Sequence, residues 1–256
     1  MIEIYKKLPG TNCGKCGLST CMAFAQKVKT GGAQLTDCPF IDEDITEEQT
    51  SGSGSFSDYE QVSNELEKEA TAVNFRETAE IIGGGYETLD GRDTIRLRMI
   101  NRVYELRKEG LFENDKYCPD PWTKIIIYDY VRRKGSSQLT GDWLTLGHFP
   151  NTASHVKAFQ SNAEKKIAGT FGNDLDELKK RCAEMGGVEG EGKAKADYFC
   201  SFYLLPHVPL YLSFYTADEE FDAECKILFD SGAEDYIDIE YLAYLVERFI
   251  EAIVSA

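Results

Sequence analysis

The sequence predicts an α+β fold, a small cysteine-rich domain tethered to a larger mixed domain. Segments with helical periodicity are interspersed with β-branched and aromatic runs, without the regular βαβ spacing of a parallel sheet. The division follows from the cysteines: four of eight fall in the first 38 of 256 residues, ahead of an acidic Gly/Ser stretch. The expected boundaries are residues 1–41 for the cysteine-rich domain, 42–55 for the linker and 56–256 for the α+β domain.

The first domain is carried by LPGTNCGKCGLSTCMAFAQKVKTGGAQLTDCPF, residues 8–40. Cys13 and Cys16 form a CxxC; Cys21 follows after four residues and Cys38, in a Cys-Pro, after sixteen more. Gly14 and Gly17 give the loop freedom to present two thiolates while its amides point at inorganic sulfide. Cys21 opens the helical stretch CMAFAQKVKTGG, whose N-terminal dipole favours a thiolate, and Gly31 and Gly32 end it so that the chain returns with Cys38. Four thiolates suit a 4Fe-4S cluster, in which each iron takes one terminal ligand. Zinc competes, because four-thiolate zinc sites also begin with CxxC. A zinc ribbon closes with a second CxxC, whereas here the last two cysteines are isolated; unligated core thiols are the third reading.

Residues 41–69 carry ten acidic residues against one lysine, together with the run TSGSGS, which is linker chemistry. Beyond it Tyr59, Val62, Leu66, Ala70 and Val73 recur at three- and four-residue spacing and predict an amphipathic helix. The Gly-rich IIGGGYETLDG, residues 81–91, reads as a turn; it lacks the GxGxxG spacing and following Lys-Ser/Thr of a phosphate loop. DTIRLRMI and VYELRK predict two strands meeting around Asn101 and Arg102. PWTKIIIYDYVRR predicts a helix with Pro121 in its first turn, and residues 152–170 and 174–185 predict two more. ADYFCSFYLLPHVPLYLSFYTAD predicts two strands joined through LPHVP, and a last helix starts near Ile239.

A hydrophobic content of 42% is that of an ordinary globular chain. No apolar run reaches the roughly 18 to 20 residues of a membrane span, and the start lacks a signal-peptide stretch, so a cytoplasmic location is expected. Eight cysteines without an export signal then read as metal ligands or reduced thiols, as would suit an anaerobic host, rather than as a disulfide framework. The formal net charge of -16 is uneven. Residues 1–38 hold five lysines against Glu3 and Asp37, while residues 217–256 hold twelve acids against Lys226 and Arg248, which argues against nucleic acid as a partner.

The cysteine segment resembles the N-terminal 4Fe-4S domain of the large subunit of corrinoid iron-sulfur proteins, the gamma subunit of acetyl-CoA decarbonylase/synthase. LPGTNCGKCGLSTCMAFAQKV and DCPF carry the resemblance, over about residues 5–41. A similar motif occurs in an electron-transport component of Rnf-type complexes. The resemblance implies cluster ligation by Cys13, Cys16, Cys21 and Cys38, and an electron relay that returns cob(II)alamin to cob(I)alamin. It stops there: too few residues remain for the TIM barrel and corrinoid-binding domain of those large subunits. The remainder, particularly LPHVPLYLSFYTADEEFDAECKILFD, resembles an uncharacterised domain family of anaerobic bacteria and archaea often found behind such a cluster motif.

In the second domain Cys118, Cys182, Cys200 and Cys225 offer no chelating pair and read as buried thiols, with a second cluster as the alternative. His148, His155 and His207 are candidate axial ligands to a corrinoid cobalt or haem iron; structural histidines are the competing reading. The acidic stretch 217–224 reads as a solvated turn, and no catalytic motif is present. The expected function is an anaerobic 4Fe-4S electron carrier with a redox partner protein, a corrinoid protein in one-carbon metabolism among the candidates. The first rival has cobalamin bound by the second domain itself, and the second is a non-redox scaffold or assembly factor with a structural cluster.

Overall fold

The computed structural model describes residues 56–89, 91–150, 152, 155–190 and 196–255, with residues 8, 15, 16, 18, 24, 25, 27, 28, 33 and 35–40 of the N-terminal region. The expected linker, residues 42–55, lies outside the described residues. The chain divides into two units, Met1–Val62 and Ser63–Ala256. The division falls inside the first long helix, α1 (Phe56–Ala72), rather than at its start.

In the first unit Phe24, Ala25, Lys27 and Val28 are helical, where the sequence predicts a helix, and a 3-10 turn spans Leu35–Asp37. The second unit contains helices and two antiparallel sheets, the α+β class the sequence predicts. After α1, the short α2 (Phe75–Ile81) starts at Asn74, whose side chain accepts the Glu77 N–H at 3.3 Å.

The first sheet is a meander in which β1 (Gly85–Leu89), β2 (Arg92–Met99), β3 (Arg102–Arg107), β4 (Gly110–Glu113) and β5 (Lys116–Tyr117) pair in sequence order. The run read as a turn over 81–91 is therefore half strand. Gly83 takes the left-handed conformation (φ 70°) that turns the chain out of α2. Gly84 then passes so close to β2 that a Cβ would sit 3.1 Å from the Arg96 carbonyl oxygen. The expected β2–β3 hairpin forms with Met99 opposite Arg102, which leaves Ile100 and Asn101 as its two-residue loop. Asn114 and Asp115, at φ 50° and 61°, close the β4–β5 hairpin, a position where these two residue types tolerate positive φ.

α3 (Pro121–Arg133) opens with Asp120 capping the Thr123 N–H at 3.2 Å and Pro121 in the first turn. It is buried on all sides from Thr123 to Val131, so its polar side chains need internal partners. The second sheet is built from β6 (Trp143–Leu144), β7 (Val188–Glu189), β8 (Tyr198–Leu205), β9 (Val208–Tyr215) and β10 (Glu224–Asp230), in the order β6-β10-β9-β8-β7. Between β6 and β7 lie α4 (Val156–Phe159), a π-helical turn (Gln160–Glu164), α5 (Lys165–Phe171) and α6 (Leu175–Glu184). After β10, the short α7 (Ala233–Tyr236) leads into α8 (Ile239–Ser255).

The core gathers around α8, which touches α3, α5, α6 and β8 through Leu242, Leu245, Val246, Phe249, Ile250 and Ile253. Phe249 packs edge-on against Phe202 of β8 at 4.6 Å. The two sheets meet where β2 touches β8, and the Ile100 N–H donates to the Leu204 carbonyl at 2.7 Å. No helix among the described residues is long and apolar enough to cross a membrane.

Candidate metal centre

Of the four predicted ligands, Cys16 and Cys38 are among the described residues and Cys13 and Cys21 lie outside them. Cys38 is buried in one small apolar core with Leu8, Phe24, Ala25, Val28 and Leu35, and the half-buried Cys16 packs against that core. Phe24 and Val28 reach it from one helix face, four residues apart. Cys38 follows the 3-10 turn, its N–H donating to the Leu35 carbonyl at 3.2 Å. The Cys16 thiol lies 4.0 Å from the Leu18 carbonyl oxygen. The Lys15 ammonium sits 4.8 Å from the centre of the Phe40 ring, so the CxxC loop and the Cys-Pro end converge. Sulfur donors against an apolar shell fit a thiolate-bound metal centre, iron–sulfur or zinc.

The cysteines of the second unit are all buried. Cys182 on α6 and Cys200 on β8 interact through their thiols. That contact and burial together push Cys182 up, while the same contact holds Cys200 below the usual thiol range. Burial likewise raises Cys225 and Cys118, which keeps both as neutral thiols at neutral pH. Among the described residues no group of three or more His, Cys, Asp or Glu side chains is placed to hold a metal ion.

The three histidines are dispersed. His148 is exposed at the end of a 3-10 turn, its Nδ1 2.9 Å from the Thr145 hydroxyl. His207 sits in the β8–β9 turn 5.4 Å from the Tyr236 ring, its Nε2 closing over Gly83, and its backbone N–H donates to the Tyr130 hydroxyl at 3.1 Å. His155 faces a cavity of about 180 Å³ beside Glu234, Asp238 and Glu240. That volume is below the roughly 300 Å³ at which small-molecule sites begin. The acidic loop 217–224 is a solvated turn in which Asp218 accepts the N–H groups of Glu220 and Phe221, both at 2.8 Å.

The feature sequence reasoning missed is a cavity of about 400 Å³ between the β2–β3 loop, the start of α3 and the C-terminal turns of α8. Met99, Cys118 and Ala252 give it apolar wall, while Arg102 and Arg248 bring positive charge and Glu113, Asp120 and Glu251 negative charge. These residues span about 150 positions and share no motif, so no local signal marks them.

Comparison with known proteins divides the chain in the same way. The family described as "Domain of unknown function (DUF3786)" matches residues 74–252, and the family described as "Putative Fe-S cluster" matches residues 8–40. The "Corrinoid/iron-sulfur protein large subunit" of Moorella thermoacetica is 52% identical over 40 residues, 16% of this chain and 9% of that protein. The "Acetyl-CoA decarbonylase/synthase complex subunit gamma" of Methanosarcina acetivorans is 55% identical over 38 residues, 15% of this chain and 8% of that protein. The subunit of the same description from Methanocaldococcus jannaschii is 50% identical over 40 residues, 16% and 8%. The chain thus spans less than a tenth of the length of these relatives. No solved structure matches it.

Proposed function

The chain belongs to the DUF3786 family and carries an iron–sulfur segment ahead of that domain, and from this premise we propose that it is a one-electron carrier with a 4Fe-4S cluster held by Cys13, Cys16, Cys21 and Cys38. The observation that carries the reading is the 52–55% identity of the cysteine segment to corrinoid iron–sulfur and acetyl-CoA decarbonylase/synthase subunits. The convergence of Cys16 and Cys38 on one core supports it. When bound, the cluster supplies a couple that exchanges one electron without bond rearrangement. The chain's own residues supply the thiolates and the apolar shell: Phe24, Val28 and Leu35 keep water from one side of the site. The half-buried Cys16 and exposed Lys15 lie toward solvent and present a positive edge to an acidic acceptor.

The acceptor, in this reading, is a corrinoid on a partner protein, which the chain serves in one-carbon metabolism. To test it, reduce the full chain anaerobically, remove free reductant, and mix it with a corrinoid protein while following the cob(II)alamin and cob(I)alamin absorption bands. Cob(I)alamin formation in step with cluster reoxidation is expected, with loss of both in Cys38→Ala. A fully reduced cluster that leaves cob(II)alamin untouched would remove the corrinoid as acceptor.

A further inference from the structure

We infer that the 400 Å³ cavity of the second unit is a binding site for a small molecule bearing a carboxylate or phosphate, with Arg102 and Arg248 as its anion-binding pair. The inference rests on this cavity alone and is independent of the cluster. Two guanidinium groups reach one cavity from different elements, β3 and α8. Each holds one carboxylate through a single nitrogen: Arg102 Nη1 to Glu113 at 3.2 Å and Arg248 Nη1 to Asp120 at 2.8 Å. A guanidinium has five N–H donors in a planar fork matched to two oxygens of one oxyanion, so each retains capacity for a ligand.

The existing pairs are exchangeable. Asp120 also accepts the Thr123 N–H at 3.2 Å and its hydroxyl at 2.7 Å as the cap of α3, so it keeps partners when Arg248 turns to a ligand. Arg102 is 63% exposed, and water replaces it on Glu113. The remaining wall is mixed: Asn101 and Tyr104 add neutral hydrogen-bonding groups, Glu251 adds a third carboxylate that is paired with Lys166 at 3.8 Å, and Met99 and Cys118, each about 95% buried, face the body of a ligand.

The backbone supplies a second sign. Ile100, which lines the cavity, sits in the left-handed region at φ 58°, where a β-branched side chain is strained. Its N–H is held by Leu204, and its carbonyl accepts the Arg98 Nε–H at 2.9 Å. Strain pinned from both sides gathers at ligand sites, where it fixes the position of neighbouring groups, here Asn101 and Arg102.

The test is calorimetric titration of the anaerobically purified full chain with inorganic phosphate, succinate and adenosine monophosphate, each against sodium chloride at matched ionic strength. Saturable binding of at least one probe is expected; which one distinguishes a phosphate from a carboxylate ligand. Arg102→Gln and Arg248→Gln should each weaken it at least tenfold, while Arg76→Gln on a remote surface leaves it unchanged. Ala252→Phe, which puts a ring at the cavity wall and keeps both arginines, should weaken it, and thermal unfolding without ligand verifies that each variant is folded. Binding of no probe beyond the salt control, or full affinity in the folded Arg102→Gln/Arg248→Gln double variant, would overturn the inference.

Discussion

Asp129 is fully buried in α3, yet it holds four donors: Arg132 through Nη2 at 2.7 Å and Nε at 3.0 Å, Arg133 Nε at 2.8 Å and the Asp238 backbone N–H at 2.8 Å. Arg133 continues to the Glu234 carbonyl at 3.2 Å, so one carboxylate ties α3 to α7 and the start of α8. Asp129→Ala leaves the Asp238 N–H without its acceptor, while Arg132 keeps Glu69 and Arg133 keeps Asp238, so it should cost roughly 1–3 kcal/mol in urea unfolding. Half of this was legible: arginines three and four residues after an aspartate are ordinary helix neighbours. The other half was not, because Asp238 is 109 positions away. Glu164 behaves oppositely. Burial raises its carboxyl against the opposing Ile227 N–H, so the folded chain holds this proton more tightly than the unfolded chain does. Its contribution is present in acid and is lost as pH rises through the folded value. Glu164→Gln keeps an acceptor for Ile227, and its melting temperature should climb relative to the parent as pH rises above the ordinary carboxylate range; a constant difference would place the shift elsewhere.

At the scale of elements, the long helices α3 and α8 were readable because each has a stop or start signal and an unbroken apolar pattern. β1, β4, β5 and β6 were not: they span two to five residues, and their pairing partners rather than their own composition make them strands. At the end of α3 Lys134 takes the left-handed position at φ 51°, and Gly135 is required because a Cβ there would run into the Tyr236 ring. Lys134→Gly should therefore stabilise the chain by about 1 kcal/mol, read as a higher melting temperature. Gly135→Ala should lower it. The reverse pattern would mean that the helix ends one residue later.

For the whole molecule, the division into Met1–Val62 and Ser63–Ala256 leads us to propose that the second unit folds alone. A fragment of residues 56–256, which retains all of α1, should unfold cooperatively within a few degrees of the second unit in the full chain. An unfolded fragment would show that the units depend on one another. The cluster segment was the most legible part of the chain, since cysteine spacing is local, whereas the large cavity assembles from segments that sequence keeps apart. The central claim is that the four N-terminal cysteines hold a redox-active 4Fe-4S cluster. Its most direct test is electron paramagnetic resonance of the anaerobically purified full chain during stepwise reduction. A one-electron cluster on these thiolates gives a reduced-cluster signal integrating to about one spin per chain, absent from Cys16→Ala and Cys38→Ala. A chain that carries stoichiometric zinc and gives no reducible signal would contradict it.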